Sequence, residues 1–185
     1  MNLQRTIDTH ERRNRQRINR QPSAILAIGL PWITIALGSI IATVILIATA
    51  PLIPPVGFML FVAWRQLRPG LLAVWAGLPL GLFDDLYSGQ PLGSGVLLWS
   101  LTAIALDYVE VRLPWRNFGT DWLVASGLIA AYIVIGLAIA NAGGGSTSIF
   151  VILPQIGISI LAFPVIARIA ALFDRMRLIP FVEIE

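Results

Sequence analysis

The sequence predicts an all-α fold, a polytopic membrane bundle of about six spans, and three observations predict it. The chain of 185 residues is 57% hydrophobic and 12% charged, with mean hydropathy +0.80, where an ordinary soluble domain carries about a quarter charged residues. Its 13 basic residues are all arginine and fall in clusters. Between the clusters lie uncharged or acid-only stretches, each long enough to cross a bilayer twice or nearly so. Period-two alternation of the β-barrel kind is missing. The absence of cysteine excludes disulfides, thiolate metal sites and thiol catalysis together.

Residues 1–23 form an arginine-rich leader in which six arginines, Arg12 and Arg13 among them, face only Asp8 and Glu11. No aromatic residue interleaves them for base stacking, so the leader reads as a topology determinant that touches anionic lipid and not as a nucleic-acid arm. The apolar run that follows is too long for a cleaved signal peptide. Span one covers about 24–49, with Ser23 as its N-cap and Pro31 early within it. Pro51, Pro54 and Pro55 make an outer turn, and span two follows at about 54–66. That span is short, roughly 11 steps of ~1.5 Å against a core of ~30 Å.

Arg65 and Arg68 mark the next inner turn. Span three (about 70–87, containing Pro79) and span four (about 92–108) flank an outer turn. Asp107, Glu110, Arg112 and Arg116 read as an inner-loop charge cluster whose members can pair with one another. Span five (about 122–141), a flexible outer loop from Asn141 to Ser148, and span six (about 149–172, with Pro154 and Pro164) complete one membrane domain over 24–173. Residues 174–185 are a cytoplasmic tail. Folded this way every arginine, including Arg65, Arg68, Arg112, Arg116 and Arg168, falls on one side, and the positive-inside rule makes that side cytoplasmic. Both termini are then cytosolic. The tryptophans Trp32, Trp64, Trp99, Trp115 and Trp122 suit an interfacial belt.

One run carries the functional signal: Gly77-Leu-Pro-Leu-Gly81-Leu-Phe-Asp84-Asp85-Leu-Tyr-Ser-Gly89-Gln-Pro91-Leu-Gly93. Asp84 and Asp85 are the only charged residues between Arg68 and Asp107, and Gly77, Gly81, Asp85, Gly89 and Gly93 recur at every fourth position. Asp85 lies 17 residues past Arg68, about 25 Å along a continuous helix, near the outer edge of the hydrocarbon. No arginine of the chain can neutralise it there. It must face water, accept hydrogen bonds from hydroxyl, amide or backbone groups near Ser88 and Gln90, be protonated, or meet a basic residue of another protein. Gly77 and Gly81 share a face that lets a neighbouring helix approach closely. Pro91 stops the helix, and Gly89 and Gly93 bend the chain. Asp85, Asp84, Gly81, Gly89, Pro91 and Gly93 are therefore candidate partner-binding or bundle-ordering residues. The plainer reading of the same run is a solvated turn beside a close helix contact.

Residue inventory argues against chemistry. The only histidine, His10, lies in the leader, and lysine is missing. An intramembrane aspartyl protease needs two acids on separate spans, and a CDP-alcohol phosphotransferase needs aspartates on successive helical turns; an adjacent pair serves neither. No catalytic, cofactor or metal residues are assigned.

The run Gly81 to Gly93, preceded by Trp64-Arg-Gln-Leu-Arg-Pro69-Gly70, resembles the signature of the rod shape-determining MreD family. The resemblance is specific over about 58–100 and rests on hydropathy elsewhere. It implies a non-enzymatic inner-membrane component of the bacterial elongation machinery, involved in rod shape and peptidoglycan synthesis. Implied partners are the bitopic protein MreC, the MreB filament, and a SEDS glycosyltransferase with a class B penicillin-binding protein. The family's acid falls on Asp85 and its glycines on Gly81, Gly89 and Gly93, whereas Asp84 and the arginine leader lie outside its pattern. The family is also similar to the membrane-embedded substrate-binding subunits of vitamin ECF transporters, which supplies the alternative function.

Overall fold

A computed structural model describes residues 24–44, 53–113 and 117–177. The leader with Arg12 and Arg13, the end of span one, Pro51, Trp115, Arg116 and residues 178–185 lie outside the described residues. Six helices follow in order: α1 (Ala24–Val44), α2 (Val56–Leu67), α3 (Gly77–Ser88), α4 (Ser94–Arg112), α5 (Phe118–Ala142) and α6 (Ile149–Arg177), with a 3₁₀ turn at Val74–Ala76 ahead of α3. The described residues contain no strand. Three helices, α4, α5 and α6, are long and apolar enough to cross a membrane, and α1 and α2 contribute shorter apolar segments.

The shortest apolar segment is the centre of the bundle. Every residue of α2 from Gly57 to Arg65 is buried, and the helix packs against α1, α4, α5 and α6. Twelve residues rise only about 18 Å, well short of a ~30 Å core. Because protein covers α2 from Gly57 to Arg65, its length need not match the hydrocarbon thickness, as non-spanning backbone is tolerated at membrane depth where protein buries it. A helix that is apolar all round is what such a position selects.

Close approach fixes α1 on α2. A side chain at Gly38 would meet the backbone of Gly57 at 3.1 Å, and Trp64 Nε1 donates to Thr34 Oγ1 at 3.0 Å, whose hydroxyl in turn donates to the Pro31 carbonyl at 2.9 Å. Phe58, Phe61, Trp99 and Tyr132 form an aromatic core that joins α2, α4 and α5. Phe58 stacks on Tyr132 with centroids 4.1 Å apart, and Phe61 tilts against Trp99 at 5.1 Å.

Several boundaries differ from the sequence reading. Residues 70–73 are not helical, so span three shortens to α3, and Pro79 sits in its first turn, where a missing N–H costs no helix bond. Helix α4 runs on to Arg112, which puts Asp107, Glu110 and Arg112 on its last turns and not in a loop. Helix α6 continues to Arg177, past the boundary set at 173. Asn141 closes the outer loop, donating to the Thr147 carbonyl at 2.9 Å and accepting from its N–H at 3.0 Å. Trp64 and Trp99 are fully buried and belong to the core, not to an interfacial belt.

The described arginines gather at one end. Arg65 is buried, donates to the carbonyls of Leu72 and Ala103, and pairs with Asp107. It thereby fastens the 70–76 segment and α4 to α2, a structural duty beyond topology. Of the expected charge cluster, Asp107 is engaged by Arg65, Arg112 lies over the Tyr108 ring at 5.2 Å, and Arg116 lies outside the described residues. Arg68 donates to one Asp174 oxygen from Nε at 3.0 Å and Nη2 at 2.8 Å, joining the C-terminal ends of α2 and α6. That hydrogen bond, reinforced by the carboxylate's charge, raises the already high Arg68 pKa. Gln66 donates to the Asp121 carbonyl at 2.9 Å. Arg168 lines a cavity of about 490 Å³ at this end, beside Trp122 and Phe163.

Candidate functional site

The far end of the bundle is organised by the acid-glycine run. Helix α3 ends at Ser88, and Gly89 follows in the left-handed conformation at φ 68°, a common helix stop that glycine adopts without strain. Helix α4 starts after Gly93, also left-handed at φ 95°. The exposed Pro91 lies between them. A glycine at the N-cap has no side-chain oxygen to offer the first N–H groups of the helix.

Asp85 supplies that oxygen from the preceding helix. Its carboxylate accepts from the N–H groups of Gly95 at 2.7 Å, Gly93 at 2.9 Å and Val96 at 3.2 Å. The Ser94 N–H reaches the Pro91 carbonyl at 3.0 Å, and the Leu97 N–H makes the first intrahelical bond, to Gly93, at 3.0 Å. Every N–H at the start of α4 is thus accounted for. The Ser94 hydroxyl donates to Pro91 O at 2.7 Å and lies 3.3 Å from Asp85 Oδ1. The carboxylate sits at the negative end of its own helix dipole, so the favourable field comes from the N-terminus of α4. A charge 4% exposed and far from the described arginines is held by backbone dipoles in place of a cation.

The glycines make that reach possible. A Cβ on Gly81 would lie 2.6 Å from the Gly95 carbonyl oxygen, and one on Gly77 would lie 2.8 Å from the Trp99 carbonyl oxygen. A Cβ on Gly95 would meet Asp85 Oδ1 at 2.7 Å and Gly81 O at 2.8 Å. Gly95 was missed from sequence because it breaks the four-residue period; its signal is the Gly93-Ser-Gly95 triplet. Helices α3 and α4 therefore touch backbone to backbone.

Asp84 is separate from this clasp. Facing the bundle interior, it accepts a hydrogen bond from Tyr132 Oη at 3.1 Å. Tyr132 on α5, held by its stack on Phe58, was not singled out from sequence. Its position is set by tertiary packing that no local pattern reveals. The two residues line a cavity of about 270 Å³ among the ends of α1, α2, α3, α5 and α6, with Ser39, Gln90 and Gln155 adding polar atoms and Ile133 and Ile152 an apolar wall.

Asp85 accepts three backbone hydrogen bonds, so both of its carboxyl oxygens are engaged within the turn. Among the described residues no group of three or more histidines and acids converges as a metal site. The chain matches no protein-family model, no curated protein and no solved structure.

Proposed function

We propose that this chain is a non-enzymatic scaffold of the bacterial inner membrane, with six spans, both termini cytosolic, and an MreD-like place in cell elongation. The partner would be an MreC-like bitopic protein, with direct or indirect links to an MreB filament and to a SEDS and class B penicillin-binding protein synthase. One observation carries the reading: the run that resembles the family folds as a clasp, its acid engaged by the start of α4 and its glycines by backbone contact. Such a motif orders two helices, which supports a structural role for the run. Large apolar side chains such as Leu97, Leu101, Leu161 and Val165 face outward, a surface suited to lipid or to another membrane helix. Depletion in the native cell is expected to widen and round the cells and to lower peptidoglycan incorporation along the side wall. Unchanged width and incorporation would count against the proposal.

A second reading, the membrane subunit of a small-molecule transporter of the vitamin type, is favoured by the polar cavity at the acid end. It requires a dedicated ATPase pair. Finding such a pair bound to the chain would replace the scaffold reading.

A further inference from the structure

The cavity beside Asp84 has features the clasp does not need. Asp84 is 7% exposed, and no described arginine lies at its end of the bundle. An acid placed so deep raises the energy of the fold unless its charge meets a partner. Within the chain it accepts from neutral donors such as the Tyr132 hydroxyl, which bring no positive charge to the site. The cavity in front of it is also lined by Gln90 and Gln155, whose side-chain amides each carry a carbonyl acceptor. Gln155 is oriented by donating its own amide to the Ile53 carbonyl at 2.8 Å.

The shape of the space selects the kind of cation. A cavity of about 150 Å³ is enough for benzene, so 270 Å³ exceeds what an inorganic ion fills. Ile133, Leu137 and Ile152 add an apolar lining to the same cavity. An ammonium group has three donors and no acceptor, which suits a carboxylate with nearby carbonyl oxygens. A short methylene stem suits the apolar wall.

We propose that the Asp84 cavity is a binding site for a primary ammonium group on a short carbon chain. The ammonium sits against the Asp84 carboxylate, and Tyr132 holds that carboxylate in place. The group can arrive on a free small amine or on the headgroup of phosphatidylethanolamine, because the cavity lies at the acid end, where helix termini would meet the lipid headgroups. The inference stands apart from the scaffold reading, since a scaffold and a transporter subunit could each hold such a ligand.

The test uses the full chain in nanodiscs of phosphatidylglycerol, with two probes: ethanolamine in solution, or phosphatidylethanolamine added to the disc. Ligand binding raises the unfolding midpoint in proportion to affinity, and native mass spectrometry reads the retained mass. Wild type is expected to bind at least one probe, and the probe that binds identifies the source. Asp84→Asn keeps the shape and removes the charge, and it is expected to weaken binding roughly tenfold to a hundredfold. Gly136→Leu covers the case in which Asp84→Asn does not fold. Its side chain grows toward Gln90, whose amide lies 3.6 Å from a Cβ at this position, so it occupies the cavity from the α5 wall with the Asp84 carboxyl group kept in the chain, and should also abolish binding. Failure of wild type to bind either probe overturns the proposal. So does unchanged binding by a folded Asp84→Asn or Gly136→Leu chain, or equal stabilisation by sodium chloride.

Discussion

Asp85 illustrates how a charge can be tolerated in an apolar chain without a counter-ion. Three backbone N–H groups and the dipole of α4 take the role an arginine would otherwise have. Asp85→Asn turns at least one N–H···O contact toward an amide NH₂ and removes the charge. We expect a loss of about 2 kcal/mol, read as a lower unfolding midpoint in detergent; an unchanged midpoint would contradict the capping role. Arg65 makes a comparable prediction at the other end. Arg65→Met removes the donor to the Leu72 and Ala103 carbonyls and leaves Asp107, 44% exposed, to turn to water, and should destabilise by about 1–3 kcal/mol, the range for leaving buried acceptors without a donor. Backbone donors were among the partners the sequence allowed for Asp85, because a carboxylate beside a glycine turn has few other options. The Tyr132 contact to Asp84 was not legible, since 48 residues separate the two.

At the scale of elements, the glycines of α3 act through space and not through flexibility. Gly81→Ala drives a methyl group to 2.6 Å from the Gly95 carbonyl oxygen, and the two helices must separate, at about 1–3 kcal/mol. Gly127 on α5 is the contrast, since a Cβ added there would have nothing within 4 Å. Gly127→Ala is expected to leave stability unchanged or slightly raised. Equal destabilisation by the two changes would argue against close backbone packing. The helix order was legible from hydropathy because turns coincide with proline, glycine and arginine clusters. The length of α3 was not, because Leu71 to Ala76 is as apolar as a helix and only the fold leaves it as a loop with a 3₁₀ turn. The distance between the acid turn and the arginine end is kept along the continuous α4, which runs 17 residues from Gly95 to Arg112, again about 25 Å. The burial of Trp64 and Trp99 was hidden for a similar reason: aromatic residues near a span's end suit an interface and a core equally well.

For the whole molecule, the described arginines and the Asp84–Asp85 pair occupy opposite ends of one helical bundle. The cysteine-free sequence makes orientation simple to measure with single-cysteine variants. Gly144→Cys, in the exposed loop before α6, should react with a membrane-impermeant maleimide added outside the cytoplasmic membrane. Arg175→Cys, exposed near the end of α6, should react only after the membrane is opened. The reverse pattern would invert the topology. The segregation of arginines was readable as sequence, whereas the central position of the short α2 was not, because hydropathy does not tell a lipid-facing helix from a protein-covered one. The scaffold proposal is tested most directly by isolating the tagged chain from its native membranes and identifying by mass spectrometry what comes with it. The account predicts an MreC-like bitopic protein and cell-wall synthase components; an ATPase pair in their place would contradict it.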